Sequence, residues 1–416
     1  MLHKPRQTEG GSVVGLIDIG TSKVACLIVA RGEEGQAGII GFGHQRSRGV
    51  KAGVVTDLDA AEQTVRAAIA QAEHIAGVTL ADVFVAVSCG RLVSQNFSAK
   101  ATVARGVVGE SDIARLMAGG RAYAERDGRT LVHLDRLGFR LDGATGISDP
   151  RRMAGRRLVA DLHAVSADDA PVRNLVLLVE RCYLSVAGLV AAPYASALAV
   201  TSAEERRLGV TCIDIGGGST SVAVFANGRF VFADAIPIGG DHVTFDIART
   251  LQCALAEAER IKALYGTLVT APSDEHEVFT YPPTGEEEGS SQTMTKAQLA
   301  LVIRPRVAAL LEHISDRLER AGMRAHPGNR VVLAGGGSGF VGMREFAAEV
   351  IGRPVRVGRP QTHAGLPQSL SSPAFATVIG LHAAAMTGSQ ASATSRARDY
   401  APGYFGRVGQ WLREGF

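Results

Sequence analysis

Apolar and polar positions along this chain fall into short β-branched runs that end in an acid and a glycine, separated by stretches with helical spacing. The first run, Val13-Val14-Gly15-Leu16-Ile17-Asp18-Ile19-Gly20, predicts a strand. Because no helical pattern follows the glycine, Val13 to Ala30 reads as two strands joined at the Gly20 turn. Ile39 to Gly43 adds a third strand, and Asp57 to Ala76 carries apolar residues at helical spacing, with Asp57 or Asp59 as its cap. Val83 to Val87 is a strand. From Gly90 to about His163 the texture changes to short strands broken by glycines and by charged clusters such as Asp149-Pro150-Arg151-Arg152, as in an inserted subdomain. Asp168 to Leu184 predicts a helix, Val186 to Val190 a strand, and Tyr194 to Ser202 a further helix after Pro193.

The opening phrase then returns as Val210-Thr211-Cys212-Ile213-Asp214-Ile215-Gly216-Gly217-Gly218-Ser219-Thr220. Asp246 to Tyr265 predicts a helix. Thr270 to Gln292, with Pro282-Pro283, Gly285 and Glu286-Glu287-Glu288, reads as a solvated excursion, and Thr295 to Ala321 as one or two helices interrupted by Pro305. Val331 to Ala334 is a strand opening into Gly335-Gly336-Gly337-Ser338. Phe340 to Ile351 continues as a helix, and Ala374 to Met386 closes the globular part. Thr387 to Gly403 is rich in Ser, Ala, Thr and Gly, which predicts a flexible linker. Beyond it, Tyr404, Phe405, Val408, Trp411, Leu412 and Phe416 recur at three- and four-residue steps, with Arg407 and Arg413 beside the stripe. That spacing predicts an interfacial amphipathic helix with a basic rim. Gly406, Gly409 and Gly415 each cost about 0.8–1 kcal/mol relative to Ala, so the helix is expected to order only against anionic lipid.

Two copies of one strand-and-glycine phrase imply two related half-domains facing each other. In each, backbone N–H groups at the turn can approach a phosphate closely. The first copy offers Gly20, Thr21, Ser22 and Lys23, and the second offers Gly216, Gly217, Gly218 and Ser219. A third turn, Gly335, Gly336 and Gly337, opens a helix and can bring backbone near an adenosine. The absence of a helix after the first turn excludes a Walker-type loop. Asp18 and Asp214 are the candidate carboxylates for Mg²⁺, through its waters; the alternative is that each merely caps its glycine turn. Glu259 and Lys262, three apart on one helical face, could grip a ribose or base edge or form an ordinary surface ion pair. Gly240 completes the candidate nucleotide set.

At 416 residues the chain should hold at least two domains. A net charge of +3 is too small to imply a nucleic-acid partner, and none is expected. Cys26, Cys89, Cys182, Cys212 and Cys253 are scattered without a CxxC pair, as buried reduced thiols would be, and the histidines show no metal-ligating spacing. His382 reads as a packed core histidine. Met1 to Ser12 has no apolar signal core, and no run approaches the roughly 18–20 apolar residues that cross a bilayer. The expected location is cytosolic, with any membrane contact made from the surface.

Taken together with Ser47-Arg48-Gly49-Val50, Gly53-Val54-Val55-Thr56-Asp57, Val179-Glu180-Arg181-Cys182, Ile303-Arg304-Pro305-Arg306 and the aromatic C-terminus, these phrases resemble the actin, Hsp70 and sugar-kinase superfamily. Within it, the chain resembles the FtsA family of bacterial cell-division proteins over nearly its whole length. The family more often has Thr where this chain has Ser219; the hydroxyl is kept. The resemblance implies an α/β, actin-like two-lobed ATPase fold with duplicated ribonuclease-H-like halves, an inserted 1C-type subdomain and a C-terminal amphipathic helix. Residues 13–87 and 164–205 would form the first lobe and 88–163 the insertion. Residues 206–386 would form the second lobe, with a small subdomain at about 266–325, followed by a linker over 387–403 and a membrane-targeting helix over 404–416.

It further implies ATP and Mg²⁺ as ligands and polymerisation with itself on the inner face of the cytoplasmic membrane. It implies attachment there of the tail of the tubulin-like protein FtsZ, and contacts of other division proteins with the insertion. Arg306 and Lys296 are placed near the tail site; a basic residue suits an acidic tail, although a helix-surface arginine is more often just solvated. Three rivals share the clamp. A small-molecule kinase needs a base near the γ-phosphate, and Ala191 to Ser196 offers no carboxylate. An Hsp70-like chaperone needs a large β-rich domain after the nucleotide domain. Another actin-like scaffold, of pilus assembly or rod shape, would lack the insertion and the Trp-bearing tail. No catalytic residue is assigned, and nucleotide is expected to act as a switch, with at most weak ATPase activity.

Overall fold

The computed structural model describes residues 13–31, 37–125, 128–285, 289–323, 330–361 and 364–386. The repeated phrase forms the middle strand of each of two five-stranded sheets built on one plan. The first runs Ser185–Ala191, Asp82–Val87, Val13–Ile19, Lys23–Arg31, Ala37–Arg46, and the second runs Val355–Val357, Arg330–Ala334, Val210–Ile215, Thr220–Ala226, Arg229–Ile236. Each middle strand is parallel to the neighbour on one side and antiparallel to the neighbour on the other. The glycine turns close alike: Gly20 N–H donates to the Lys23 carbonyl and Gly216 N–H to the Ser219 carbonyl, each at 2.9 Å. The duplication read from the sequence therefore extends to single backbone hydrogen bonds. Both sheets are covered on two faces, and their strands read as near-continuous apolar runs for that reason; every residue of Thr220–Ala226 is buried.

Local chemistry explains the helices that cover them. In Leu58–Ala76 the Asp57 carboxylate accepts from Ala60 N–H, Gly77 ends the helix at φ 67°, and Ala61, Val65, Ala68, Ile69 and Ala72 form the buried stripe. The alanines let backbone meet backbone: a Cβ on Gly43 of the neighbouring strand would lie 2.1 Å from the Ala68 carbonyl oxygen. Between the lobes, Ala192–Val200 packs against strands of both sheets and crosses Ala376–Met386. At the crossing a Cβ on Gly380 would lie 1.7 Å from the Ala195 carbonyl oxygen. His382, on the second of these helices, is buried, as are all five cysteines, which are free thiols.

Several expectations need correction. Residues 93–168 form long strands, ordered Val93–Thr102, Arg157–Asp168, Arg129–Leu141, Ala144–Ile147, and a helix, Glu110–Ala124, where only short broken strands were expected. Gly120 lets the helix lie on the sheet, since a Cβ there would sit 2.3 Å from Leu162 Cδ1. The helix expected over Asp246 to Tyr265 is two, Gly240–Leu251 and Leu255–Tyr265, parted where Gln252 takes φ 50°. The excursion holds a 3₁₀ turn, Pro272–Glu275, and an antiparallel strand pair, Val278–Tyr281 with Gln292–Thr295; its residues 286–288 lie outside the described residues. Pro305 does not interrupt Lys296–Arg320, a single helix opened by the Thr295/Gln298 capping box. The N–H that Pro305 lacks would have paired with Leu301, a residue 71% exposed, where water can serve the carbonyl. The expected linker and amphipathic helix, from Thr387 onward, also lie outside the described residues.

The helix crossing gives a direct stability test. Gly380→Ala should cost about 2–3 kcal/mol by overpacking, read as a lower midpoint of chemical or thermal unfolding. Gly119→Ala, whose Cβ meets nothing within 4 Å, should instead stabilise by about 0.5–1 kcal/mol.

Candidate functional site

The three glycine turns converge on one cleft between the lobes, with a volume of about 520 Å³, a size that suits a small organic ligand. Gly20, Thr21, Ser22 and Lys23 line it from the first lobe and Gly216, Gly217, Gly218 and Ser219 from the second. Gly335, Gly336 and Gly337 line it from the turn after Arg330–Ala334. Gly240, Glu259 and Lys262 come from the two helices beyond, and Asp18 and Asp214 from the ends of the middle strands. The opposed turns nearly touch: a Cβ on Gly218 would lie 2.6 Å from Thr21 Oγ1, whose oxygen accepts from Gly53 N–H at 3.1 Å. Gly335, at φ 80°, is equally constrained, since a Cβ there would sit 2.3 Å from Asp214 Oδ1.

The acids at the foot of the cleft do not cap their turns. Gly20 and Gly216 donate to main-chain carbonyls, and Asp214 accepts from Ser196 Oγ and, at 3.2 Å, from Thr377 Oγ1. Those two hydroxyls lie 2.8 Å apart. Asp18 accepts no hydrogen bond among the described residues. Burial pushes its carboxyl up from 3.8 to about 6; Lys23 opposes the rise and Asp214 adds to it. Asp214 is raised by burial as well, with Ser196, Lys23 and Thr377 opposing. Lys23, the cation they share, is itself lowered by burial, bonds the Ala374 carbonyl and lies 4.7 Å from the centre of the Phe375 ring.

One lysine between two acids leaves a negative balance that a cation could neutralise. Among the described residues there is no cluster of three or more acids, histidines or cysteines able to enclose a metal. Such an ion would rely on water and ligand oxygens, which is how Mg²⁺ is usually held, so the residues present fit it.

Glu259 and Lys262 do form the ion pair, at 2.5 Å, yet at the wall of the cleft. Lys262 Nζ also donates to Thr244 Oγ1 at 2.8 Å and reaches the Gly240 carbonyl at 3.3 Å. Against burial, which raises it, the Lys262 and Thr244 hydrogen bonds hold Glu259 below the usual carboxylate range. Arg306 and Lys296 lie elsewhere and are not free cations. Arg306 bonds both oxygens of Asp246 at 2.6 and 3.1 Å, and Lys296 lies 3.3 Å from Asp274 and 3.2 Å from Glu277. A small hollow beside Arg306 shares Gly240, Gly337 and Phe340 with the cleft. Tyr404, Phe405, Arg407, Val408, Trp411, Leu412, Arg413 and Phe416 lie outside the described residues.

Sequence reasoning missed Asp241, Phe340, Ser196 and Thr377. Asp241 lines the cleft and is raised by burial, and Phe340 supplies an apolar wall. Phe340 could have been found as the aromatic closing the third glycine turn, and Ser196 and Thr377 as lone hydroxyls in small-residue apolar runs.

Comparison with known proteins identifies the assembly. A sequence family described as "Cell division protein FtsA" matches residues 211–380, and one described as "SHS2 domain inserted in FTSA" matches residues 89–166. The cell division protein FtsA of Rhizobium meliloti (strain 1021) is 39% identical over 99% of this chain and 97% of its own length. Among solved structures, the chain is similar to a PilM–PilN type IV pilus biogenesis complex chain (TM-score 0.63, 18% identity, covering 91% of this chain and 98% of that one). It is also similar to MreB5 of Spiroplasma citri bound to ADP (TM-score 0.53, 13% identity, 91% and 97% covered). The fold is actin-like, and the chain belongs to the FtsA family of cell-division proteins.

A raised Asp18 makes ligand-free stability depend on pH. The raised carboxyl costs the fold about 3 kcal/mol at pH 7.5 and about 1 kcal/mol at pH 4.5, where the folded group keeps its proton and only the unfolded chain ionises. Asp18→Asn should therefore stabilise the ligand-free protein at pH 7.5 and lose most of that gain at pH 4.5, measured by urea unfolding at both values.

Proposed function

We propose that this chain binds ATP with Mg²⁺ between its lobes and uses the nucleotide as a switch for polymerising on the inner face of the cytoplasmic membrane, where it anchors FtsZ. The observation that carries the nucleotide reading is the pair of opposed glycine turns in near contact above two buried carboxylates that do not cap those turns. The ADP in the similar MreB5 structure supports it. Backbone N–H groups of Gly20–Lys23 and Gly216–Ser219 would take the phosphates from both sides, with Thr21, Ser22 and Ser219 adding hydroxyls and Lys23 a charge. Gly335–Gly337, Phe340 and the Glu259/Lys262 pair would border the nucleoside. Asp18 and Asp214 would hold Mg²⁺ through its waters, and the cation would supply charge neutralisation for the phosphates. Ser196 and Thr377 keep Asp214 oriented for that task.

The helix start at Ala191–Ser196 carries no acid, and its Ser196 hydroxyl is engaged by Asp214. The switch reading is favoured over a kinase on that ground. Membrane attachment rests on the sequence pattern from Tyr404 to Phe416. Among the described residues no helix is long and apolar enough to cross a membrane. One amphipathic tail binds anionic lipid weakly and reversibly, while a filament presenting many binds firmly through effective concentration. FtsZ would attach through its acidic tail near Arg306, with Lys296 at the start of the same helix, and other division proteins would meet the inserted domain. Such a protein is peripheral, on the cytoplasmic side of the inner membrane at the division site.

Two measurements test the parts separately. Asp214→Ala should weaken binding of Mg²⁺ and ATP by at least about 10- to 100-fold in a calorimetric titration, with the unfolding transition retained; wild-type affinity would remove the carboxylate from the site. Deleting Tyr404 to Phe416 should release the protein from anionic liposomes in a sedimentation assay while ATP binding survives. Continued sedimentation of the truncated chain would disprove the anchor.

A further inference from the structure

Two bidentate clasps fasten the helix Lys296–Arg320 to the second lobe. Arg317 donates to both oxygens of Asp234 at 2.5 and 3.1 Å, and Arg306 to both oxygens of Asp246 at 2.6 and 3.1 Å. Their surroundings differ. Asp234 is a buried residue on Arg229–Ile236, the edge strand of the second sheet. Asp246 lies along the helix Gly240–Leu251, where Arg249, one turn further on, stands 3.3 Å from the same carboxylate with its side chain 82% exposed. The Arg306 side chain is itself 36% exposed, so an acid from outside can reach it.

A carboxylate that takes an arginine away from its partner normally strands the partner's charge. Asp246 is spared that penalty because Arg249 already touches it and is free to move in water. Lys296 offers no such exchange, since it serves two acids, Asp274 and Glu277. We propose that Asp246 is an internal competitor for the acidic ligand of Arg306: it occupies the guanidinium until an incoming peptide carboxylate replaces it, and then passes to Arg249. This rests on the reading of Arg306 as the receptor for the FtsZ tail. Asp246 thereby sets the affinity threshold of the site without touching the ligand.

The test is fluorescence anisotropy on the full chain, with a labelled peptide copying the C-terminal tail of the cognate FtsZ. Asp246→Asn should tighten binding about three- to tenfold, the range open to a partly exposed bidentate pair. Glu257→Gln removes the same charge from a neighbouring helix, where Glu257 pairs with Arg260, and should leave affinity unchanged. Arg249→Ala should weaken binding to the wild-type chain and have no effect beside Asp246→Asn. Arg306→Ala should abolish binding. If Arg306→Ala binds normally, the tail-site reading fails and takes this inference with it. If Arg306→Ala loses binding but Asp246→Asn does not tighten it, or Glu257→Gln tightens it equally, the competitor role alone is overturned. An effect of Arg249→Ala that is equal in both backgrounds, or absent from both, overturns the hand-over. Should the Asn variant fold poorly, Asp246→Ser, checked by its unfolding midpoint, should tighten binding in the same way, and unchanged affinity there would equally overturn the competitor role.

Discussion

Two buried carboxylates share one lysine at the foot of the interlobe cleft, and the rest of the structure is arranged around that imbalance. Taking acids out of water is costly unless something positive accompanies them. Lys23 compensates in part, and the hydroxyls of Ser196 and Thr377 settle Asp214. Asp18 is left with a raised carboxyl and no donor among the described residues. A fold optimised for stability alone would not keep it. On the proposed reading, the electrostatics of the position close when a cation and an anionic ligand arrive together between the glycine turns.

That arrangement depends on the duplication. Equivalent strands place Asp18 and Asp214 opposite Ala25 and Ser221 in their sheets, so each acid emerges at the same point of its lobe. The crossing of Ala192–Val200 with Ala376–Met386 joins the lobes and supplies Ser196 and Thr377 to the acid from the second lobe. On the far side of the second lobe, Gly240–Leu251 begins at the cleft, where Gly240 N–H and Asp241 N–H donate to the carbonyls of Gly216 and Gly217 at 2.9 and 2.8 Å. The same helix carries Asp246 to Arg306. One helix thus spans from the second glycine turn to the proposed docking residue.

Much of this was legible in the residues. The repeated Asp-Ile-Gly phrase implied paired lobes and a shared cleft because a strand end followed by glycine leaves few other uses for an acid. Other features were hidden where a residue's role is set by what packs on it. The glycines between Gly90 and His163 read as breaks between short strands until Gly120 is seen seating a helix on the sheet, and Pro305 reads as an interruption until Leu301 proves exposed. Ser196 and Thr377 are ordinary hydroxyls until the chain brings positions 181 residues apart into contact. Arg306 reads as a waiting cation because no local pattern shows that Asp246 already holds it.

The most direct test of the carboxylate pair is the proton released when preformed Mg²⁺–ATP binds at pH 6, measured calorimetrically in buffers of different ionisation enthalpy. With a carboxyl poised at about 6, the wild-type chain should release about half a proton more than Asp18→Asn. Equal proton release by the two proteins would contradict the assignment of Asp18 to the bound cation.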